Sequence, residues 1–294
     1  MSILRLTHFY PWHGMPDEFI GAALSLFAEH GARYLTFTDQ QCPLMLSQPD
    51  YEKQISARAA EYGLSFSDAH GLCFRLYDLN TDDAELRARS IRDHIQVIER
   101  LAAIGVKTYT VHIGAALHQF PPMLELPVLR ENALRTLEGI LPTAEKNDMV
   151  IALENSFEPP NAPDELLWYL QQFSSKHLLL CFDSGHENYM SRQGKDLSRF
   201  SEYHVHTAWK GDLRLEDDAL GKMAPYIVTA HLHDNSGYND DHFLPGKGTI
   251  NWSKIMGRLK KCPRLQSLQN ESSVIRDKLS IAEMCESFDQ IMQY

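Results

Sequence analysis

Six apolar runs of this sequence stop at an ionisable residue: Asp68-Ala-His70-Gly, Thr110-Val-His112-Ile-Gly, Ile151-Ala-Leu-Glu154-Asn, Cys181-Phe-Asp183-Ser-Gly-His186, Thr229-Ala-His231-Leu-His-Asp and Leu268-Gln-Asn-Glu271. Starting at His70, the successive intervals to His112, Glu154, Asp183, His231 and Glu271 are 42, 42, 29, 48 and 40 residues. Carboxylates and imidazoles are costly to bury without partners, and a shared metal ion is a common compensation. A further stretch, Asp240-Asp-His242-Phe-Leu-Pro-Gly246-Lys-Gly248, sets two more ligand types on a loop shaped by proline and glycine. Imidazole nitrogens mixed with carboxylate oxygens suit zinc, manganese, iron or cobalt, whereas magnesium and calcium favour more oxygen.

Taken singly, most of these pieces have an ordinary explanation. A histidine at a strand end is usually structural, Asp183-Ser-Gly-His186 reads as a helix start with an aspartate N-cap, and Asp240-Asp-His242 reads as a solvated loop. Glu154 and Glu271 fit that account less well, because glutamate is rarely buried unpaired. The near-constant interval joins the pieces, since a repeating unit of that length brings all six positions to one rim.

The hydrophobic pattern supplies such a unit. Runs rich in Val, Ile, Leu, Thr and Tyr predict strands at Ile3–His8, Arg33–Thr38, Leu64–Ala69, Thr108–Ile113, Met149–Glu154, Leu178–Asp183, Ile227–His233 and Leu265–Asn270. Amphipathic stretches predict helices near 17–30, 51–62, 84–104, 125–146, 162–174, 251–260 and 277–292, while the connection at about 187–225 has a mixed pattern. Eight strands in 294 residues is about 37 residues per unit. That predicts an α/β protein, a closed (β/α)8 TIM barrel forming a single domain over 1–294, with its active site at the C-terminal ends of the strands. An open doubly wound sheet is the rival, disfavoured because no GxGxxG turn follows the first strand.

Composition bounds the rest. With 44 % hydrophobic and 23 % charged residues the chain suits a large globular core, and a net charge of −11 gives no overall basic field for nucleic acid or anionic membrane. No apolar run approaches the roughly 18 residues of a membrane helix, and the first residues lack a secretory pattern. Cys42, Cys73, Cys181, Cys262 and Cys285 never form a CxxC and read as reduced structural thiols, so a cytoplasmic location is expected. Among the other histidines, His8 is expected at the same mouth, and His233 shares a strand face with His231 and is the reserve ligand. His204 and His206 read as structural or surface residues, and His13, His30, His94, His118 and His177 as solvated or helix-face residues. Tyr34, Phe37, Phe66 and Phe74 read as core and pocket wall.

From the third strand to the eighth, the sequence resembles the xylose isomerase-like TIM barrels, a superfamily of sugar isomerases and epimerases that also includes the endonuclease IV class of repair nucleases. The most specific piece is Ala230-His231-Leu-His-Asp-Asn-Ser-Gly-Tyr-Asn-Asp240-Asp-His242-Phe-Leu-Pro-Gly-Lys-Gly-Thr-Ile-Asn-Trp252, supported by Phe182-Asp-Ser-Gly-His186 and Ile-Ala-Leu-Glu154-Asn. The resemblance to the epimerases implies one divalent ion held by Glu154, Asp183, His231 and Glu271. It also implies that the two glutamates act as the proton-transfer pair and that His186 holds the substrate. The resemblance to the nucleases implies three zinc ions held by His70, His112, Glu154, Asp183, His186, His231, Asp240, His242 and Glu271. The cofactor expected is thus a divalent ion (zinc, manganese, cobalt or magnesium), one to three per chain.

The sequence departs from the nuclease pattern at Asp183-Ser-Gly-His186, where DTCH is expected, at Asp240-Asp-His242, where an arginine is expected between the ligands, and at Asn270-Glu271-Ser-Ser, which lacks the usual ETP. The loops after the first three strands carry no Lys/Arg cluster for DNA. The reading favoured by the sequence is therefore a metal-dependent sugar or sugar-phosphate isomerase or epimerase, with an endonuclease IV-like phosphodiester hydrolase as the alternative. The expected partner is a small sugar or sugar phosphate, with Lys247 or Arg75 meeting a phosphate or carboxylate group. Nucleic acid is disfavoured, no membrane partner is expected, and association into homo-oligomers is compatible with the reading.

Overall fold

The computed structural model describes residues 4–74, 76–114, 124–192, 194–200 and 207–294. Eight parallel strands close into a barrel in sequence order: β1 Arg5–His8, β2 Tyr34–Phe37, β3 Ser65–His70, β4 Thr108–Val111, β5 Val150–Glu154, β6 Leu178–Asp183, β7 Ile227–Leu232 and β8 Ser267–Asn270, with β1 pairing β8 to complete the ring. The helices are α1 Asp17–Glu29, α2 Cys42–Ser47, α3 Tyr51–Ala60, α4 Ala84–Ala103, α5 Leu126–Lys146, α6 Pro163–Gln172, α7 Ser184–Met190, α8 Ala219–Met223, α9 Trp252–Leu259, α10 Val274–Asp277 and α11 Ile281–Met292. The fold expected from the sequence, a TIM barrel, is the fold observed.

The two-residue period of a strand sorts each side chain to the lumen or to the helical layer. On β5 and β6, Ile151, Leu153, Leu180 and Phe182 join the apolar layer beneath the helices, while Ala152, Leu179 and Cys181 form a separate inner cluster. Deeper in the lumen a polar layer ties the strands together. The Asp68 carboxylate accepts from the hydroxyls of Ser67, Thr108 and Ser267, Ser267 also bonds Thr229 at 3.0 Å, and Thr36 donates to Gln269 at 2.9 Å. Each of these buried groups thus meets a partner on a neighbouring strand or close by, as buried polar groups require.

The outer layer is fixed by its caps. Asp83 accepts from the amides of Glu85 and Leu86 to start α4, and Ser280 with Glu283 forms a reciprocal capping box at α11. The helix expected near 277–292 is observed as α11, which starts at that box, and Lys278 in the left-handed region ends the short α10 ahead of it. In the connection after β6, α7 starts at the strand end itself, and α8 follows much later. Among the described residues, no helix is long and apolar enough to cross a membrane.

Candidate metal centre

All nine expected ligands among the His, Asp and Glu residues lie at the C-terminal rim, and all but Asp240 and His242 sit at or just beyond the ends of β3 to β8. The inner group is centred on His231. Its Nδ1 is 3.1 Å from Glu154 Oε1 and 3.1 Å from Glu271 Oε2, so two carboxylates from different parts of the ring face one imidazole. Asp183 completes a set of four residues whose ligand atoms all lie within 4.8 Å of one another. His70 Nε2 is 3.7 Å from Glu154 Oε2 and 3.9 Å from Glu271 Oε1, and His112 Nε2 is 3.5 Å from the same Glu154 oxygen. The outer group is His186, His233, Asp240 and His242; Asp240 Oδ2 lies 3.5 Å from His186 Nε2 and 3.3 Å from His242 Nε2.

The residues fit a divalent cation on three counts. His231 Nε2, Glu154 Oε2, Asp183 Oδ2 and Asp240 Oδ1 are buried with no hydrogen-bond partner, each at a cost of about 1–3 kcal/mol if nothing else engages it. The donor set is imidazole and carboxylate. Finally, the rings are oriented from behind: His186 Nδ1 donates to the Asn155 carbonyl and His242 Nδ1 to the Glu271 carbonyl, both at 2.8 Å, which leaves each Nε2 turned to the site.

Charge within the cluster is self-compensating. Burial pushes the Glu154 and Glu271 carboxyls up, but the facing histidines override it and hold Glu154 well below its usual range and Glu271 at about 2. Burial likewise works against the His231 and His242 imidazoliums, yet the neighbouring anions raise His231 well above its ordinary value and His242 to about 10. His112, with less anionic company, is pulled down to about 4 by burial.

One buried carboxylate builds the outer loop. Asp234, at the end of β7, accepts from the amides of Asn235, Gly246 and Ile250 and from the Trp252 indole. An antiparallel bridge between Asp234 and Phe243 then pins the segment between them, which carries Asp240 and His242. Gly248 is required because a Cβ there would lie 2.2 Å from the Asn235 carbonyl oxygen. His242 itself sits at φ 50°, a strained conformation for a residue with a side chain, held at the site by this loop.

Several expectations change. His8 ends β1 but belongs to the helical layer, where its ring packs at an angle against Phe27 and Phe288, and burial lowers its pKa to about 4. The lumen side of β1 belongs to the alternate residues, such as Thr7, which bonds Thr36. His94 is fully buried, bonded to the Tyr109 hydroxyl at 2.8 Å, and His177 is buried against the Met149 carbonyl; neither is solvated. Lys247 is exposed on the glycine turn, outside the lining of the cavity into which the centre opens. Arg75, His118, His204 and His206 lie outside the described residues. Phe37 and Phe66 are core, and exposed Phe74 forms the cavity lip.

The centre opens into a cavity of about 410 Å³, within the usual range for a small-molecule site. Two acids in its wall were not singled out from the sequence. Glu158 is buried, accepts from Ser156 at 2.9 Å, and burial raises its carboxyl to about 8. Asp39, just past β2, is also raised by burial. The rule that found the other six, an ionisable residue where an apolar strand stops, finds Asp39; Glu158 stands in a loop before two prolines and carries no such mark. Arg276, bound to Asp277, is the fixed cation of the described cavity wall.

Against known proteins, a family model described as xylose isomerase-like TIM barrel matches residues 24–263. The chain spans about half the length of the curated relatives it matches; an uncharacterised protein of Methanocaldococcus jannaschii is 27 % identical over 169 residues, 55 % of this chain and 50 % of that protein. Among solved structures, an L-ribulose 3-epimerase superposes with a TM-score of 0.71 at 15 % identity, covering 98 % of this chain and 94 % of its own. A D-tagatose 3-epimerase-like protein gives 0.64 at 21 % identity, covering 90 % and 91 %. At these identities the structural likeness shows the fold.

Proposed function

Because the chain belongs to the xylose isomerase-like TIM barrel family, we propose that it is a metal-dependent isomerase or epimerase of a sugar or sugar phosphate. The observation that carries the reading is the pair Glu154 and Glu271, each 3.1 Å from His231 Nδ1 at the cavity floor. Glu154, Asp183, His231 and Glu271 would hold the ion, and its contribution is to polarise a substrate carbonyl beside the carbon that loses its proton.

The remaining work falls to the chain's own groups. Glu154 and Glu271 arrive from β5 and β8, so one takes the proton from one face of the substrate and the other returns it on the opposite face. His186, its Nδ1 committed to the Asn155 carbonyl, presents Nε2 to a substrate hydroxyl. Glu158, kept protonated by burial up to about 8, donates to another oxygen. Phe9, Phe74 and Ile275 contribute to the apolar part of the wall. The structures it resembles include epimerases of small sugars, which supports a sugar as the partner. Its five unpaired cysteines suit a cytoplasmic setting.

One observation favours a second reading. The described residues form three groups of ligand atoms, two of which share Glu154 and His231, as a multi-zinc phosphodiester hydrolase requires. Solvent exchange separates the two. The ion-loaded protein is incubated in deuterium oxide with a panel of ketoses and ketose phosphates, and proton NMR follows the carbon next to the carbonyl. Deuterium uptake there supports the proton-transfer reading. No uptake across the panel, with cleavage of bis(p-nitrophenyl) phosphate, supports the hydrolase.

A further inference from the structure

His233 lies within the outer group of donors, yet its geometry sets it apart from a ligand. Its ring is stacked on His242 with centroids 3.7 Å apart and planes 10° from parallel. An imidazole lone pair lies in the plane of its ring, so two nearly parallel, stacked rings do not direct their lone pairs at a common ion. His242, whose Nδ1 is committed to the Glu271 carbonyl, is the ring that presents Nε2 to Asp240. His233 is fully buried behind it, with Nε2 3.1 Å from Asp183 Oδ1.

The chain is shaped around this ring. The Ser184 hydroxyl donates to the His233 carbonyl at 2.9 Å and accepts the His233 amide at 3.1 Å, which clamps the residue beside the start of α7. A Cβ on Gly185 would fall 1.9 Å from His233 Cε1 and 2.5 Å from each ring nitrogen. The Ser-Gly between Asp183 and His186, and the second histidine of His231-Leu-His233, are therefore two halves of one contact.

We propose that His233 is a positioning residue that orients the Asp183 carboxylate from behind and backs the His242 ring, and that Gly185 is present to admit it. This rests on the reading of Asp183 as a ligand of the inner ion. Groups that orient a ligand in this way typically change metal affinity by about 10–100-fold when removed.

The test is calorimetric titration of chelator-stripped protein with zinc alone, with cobalt(II) absorption spectra recorded alongside. His233→Ala is expected to weaken the inner equivalent at least about tenfold and to shift its cobalt band, beyond the loss of unfolding midpoint in the ion-free protein that the emptied space itself brings. His233→Gln, which keeps an amide nitrogen near the carboxylate, is expected to recover most of the affinity. Gly185→Ala is expected to weaken binding in the native background and to add nothing in the His233→Ala background. Native-like zinc affinity and cobalt spectrum in His233→Ala would overturn the proposal, as would equal costs of Gly185→Ala in both backgrounds. If the unsubstituted protein takes up no ion, the metal reading itself fails. If it binds and the variants match it, only the role of His233 fails.

Discussion

At the scale of single residues, the account rests on carboxylates whose surroundings push them in opposite directions. Glu271 is held ionised by His231, with its pKa near 2, whereas Glu158 is held protonated up to about 8 by burial alone against weaker opposing contacts. Glu154→Gln and Glu271→Gln are each expected to lower deuterium exchange by about 10²–10⁴-fold while the far-ultraviolet circular dichroism stays native; exchange within a factor of a few of the parent would remove the glutamate pair from the mechanism. Glu158 makes a pH prediction with a definite sign. Its folded pKa of about 8 lies above the ordinary 4.5, so between those values the folded chain holds a proton that the unfolded chain has lost. Its contribution is complete below about 4.5 and fades as pH rises towards 8. Urea unfolding of the ion-free protein at pH 5, 6.5 and 8 is therefore expected to show Glu158→Gln gaining on the parent as pH rises. A constant difference across that range would contradict the assignment.

At the scale of elements, the loop after β7 depends on one side chain. Asp234 gathers four N–H donors, so Asp234→Ala leaves them without their acceptor and is expected to cost about 3 kcal/mol or more, read from urea midpoints. Destabilisation below about 1 kcal/mol would mean that the glycines and Pro245 fix the loop unaided. The elements also show what a sequence reveals. All eight strands and the six marked strand ends were legible, because strands buried on both faces read as continuous apolar runs and an ionisable residue at their ends stands out. On α4 a count of apolar residues alone does not reveal the whole buried face. The buried stripe is Ser90, His94, Val97, Ile98 and Leu101, a helical period in which two polar residues take part because tertiary partners satisfy them, as Tyr109 does for His94. Short helices such as α2 and α7 have too few residues to show a period. α7 exists because Asp183 caps it by accepting from the His186 amide at 2.6 Å, so the ordinary reading of that motif and its place in the cluster are both correct descriptions. His8 failed for a related reason: being last on a strand does not fix which face a side chain takes, and a shift of one residue reverses it.

At the scale of the whole molecule, the barrel collects side chains spread over 202 residues, His70 to Glu271, into one buried group that the unfolded chain cannot assemble. An ion that binds there binds the folded state preferentially and stabilises it by mass action, about 2.7 kcal/mol at a hundredfold excess over its dissociation constant. Chelator is accordingly expected to lower the thermal midpoint and added divalent ion to restore it; a midpoint indifferent to both would argue that the donors serve packing alone. Asp240→Ala, which alters the outer group but none of Glu154, Asp183, His231 and Glu271, is expected to leave the inner ion bound. Loss of that ion would join the two groups into one multi-metal unit.

The most direct measurement is the metal content of each chain, by elemental analysis of protein purified without chelators or added metal. The account predicts close to one divalent ion per chain, lost in Glu154→Gln or Glu271→Gln. Two or three tightly held zinc ions per chain would contradict it in favour of the phosphodiester hydrolase, and no ion at all would contradict the metal centre itself.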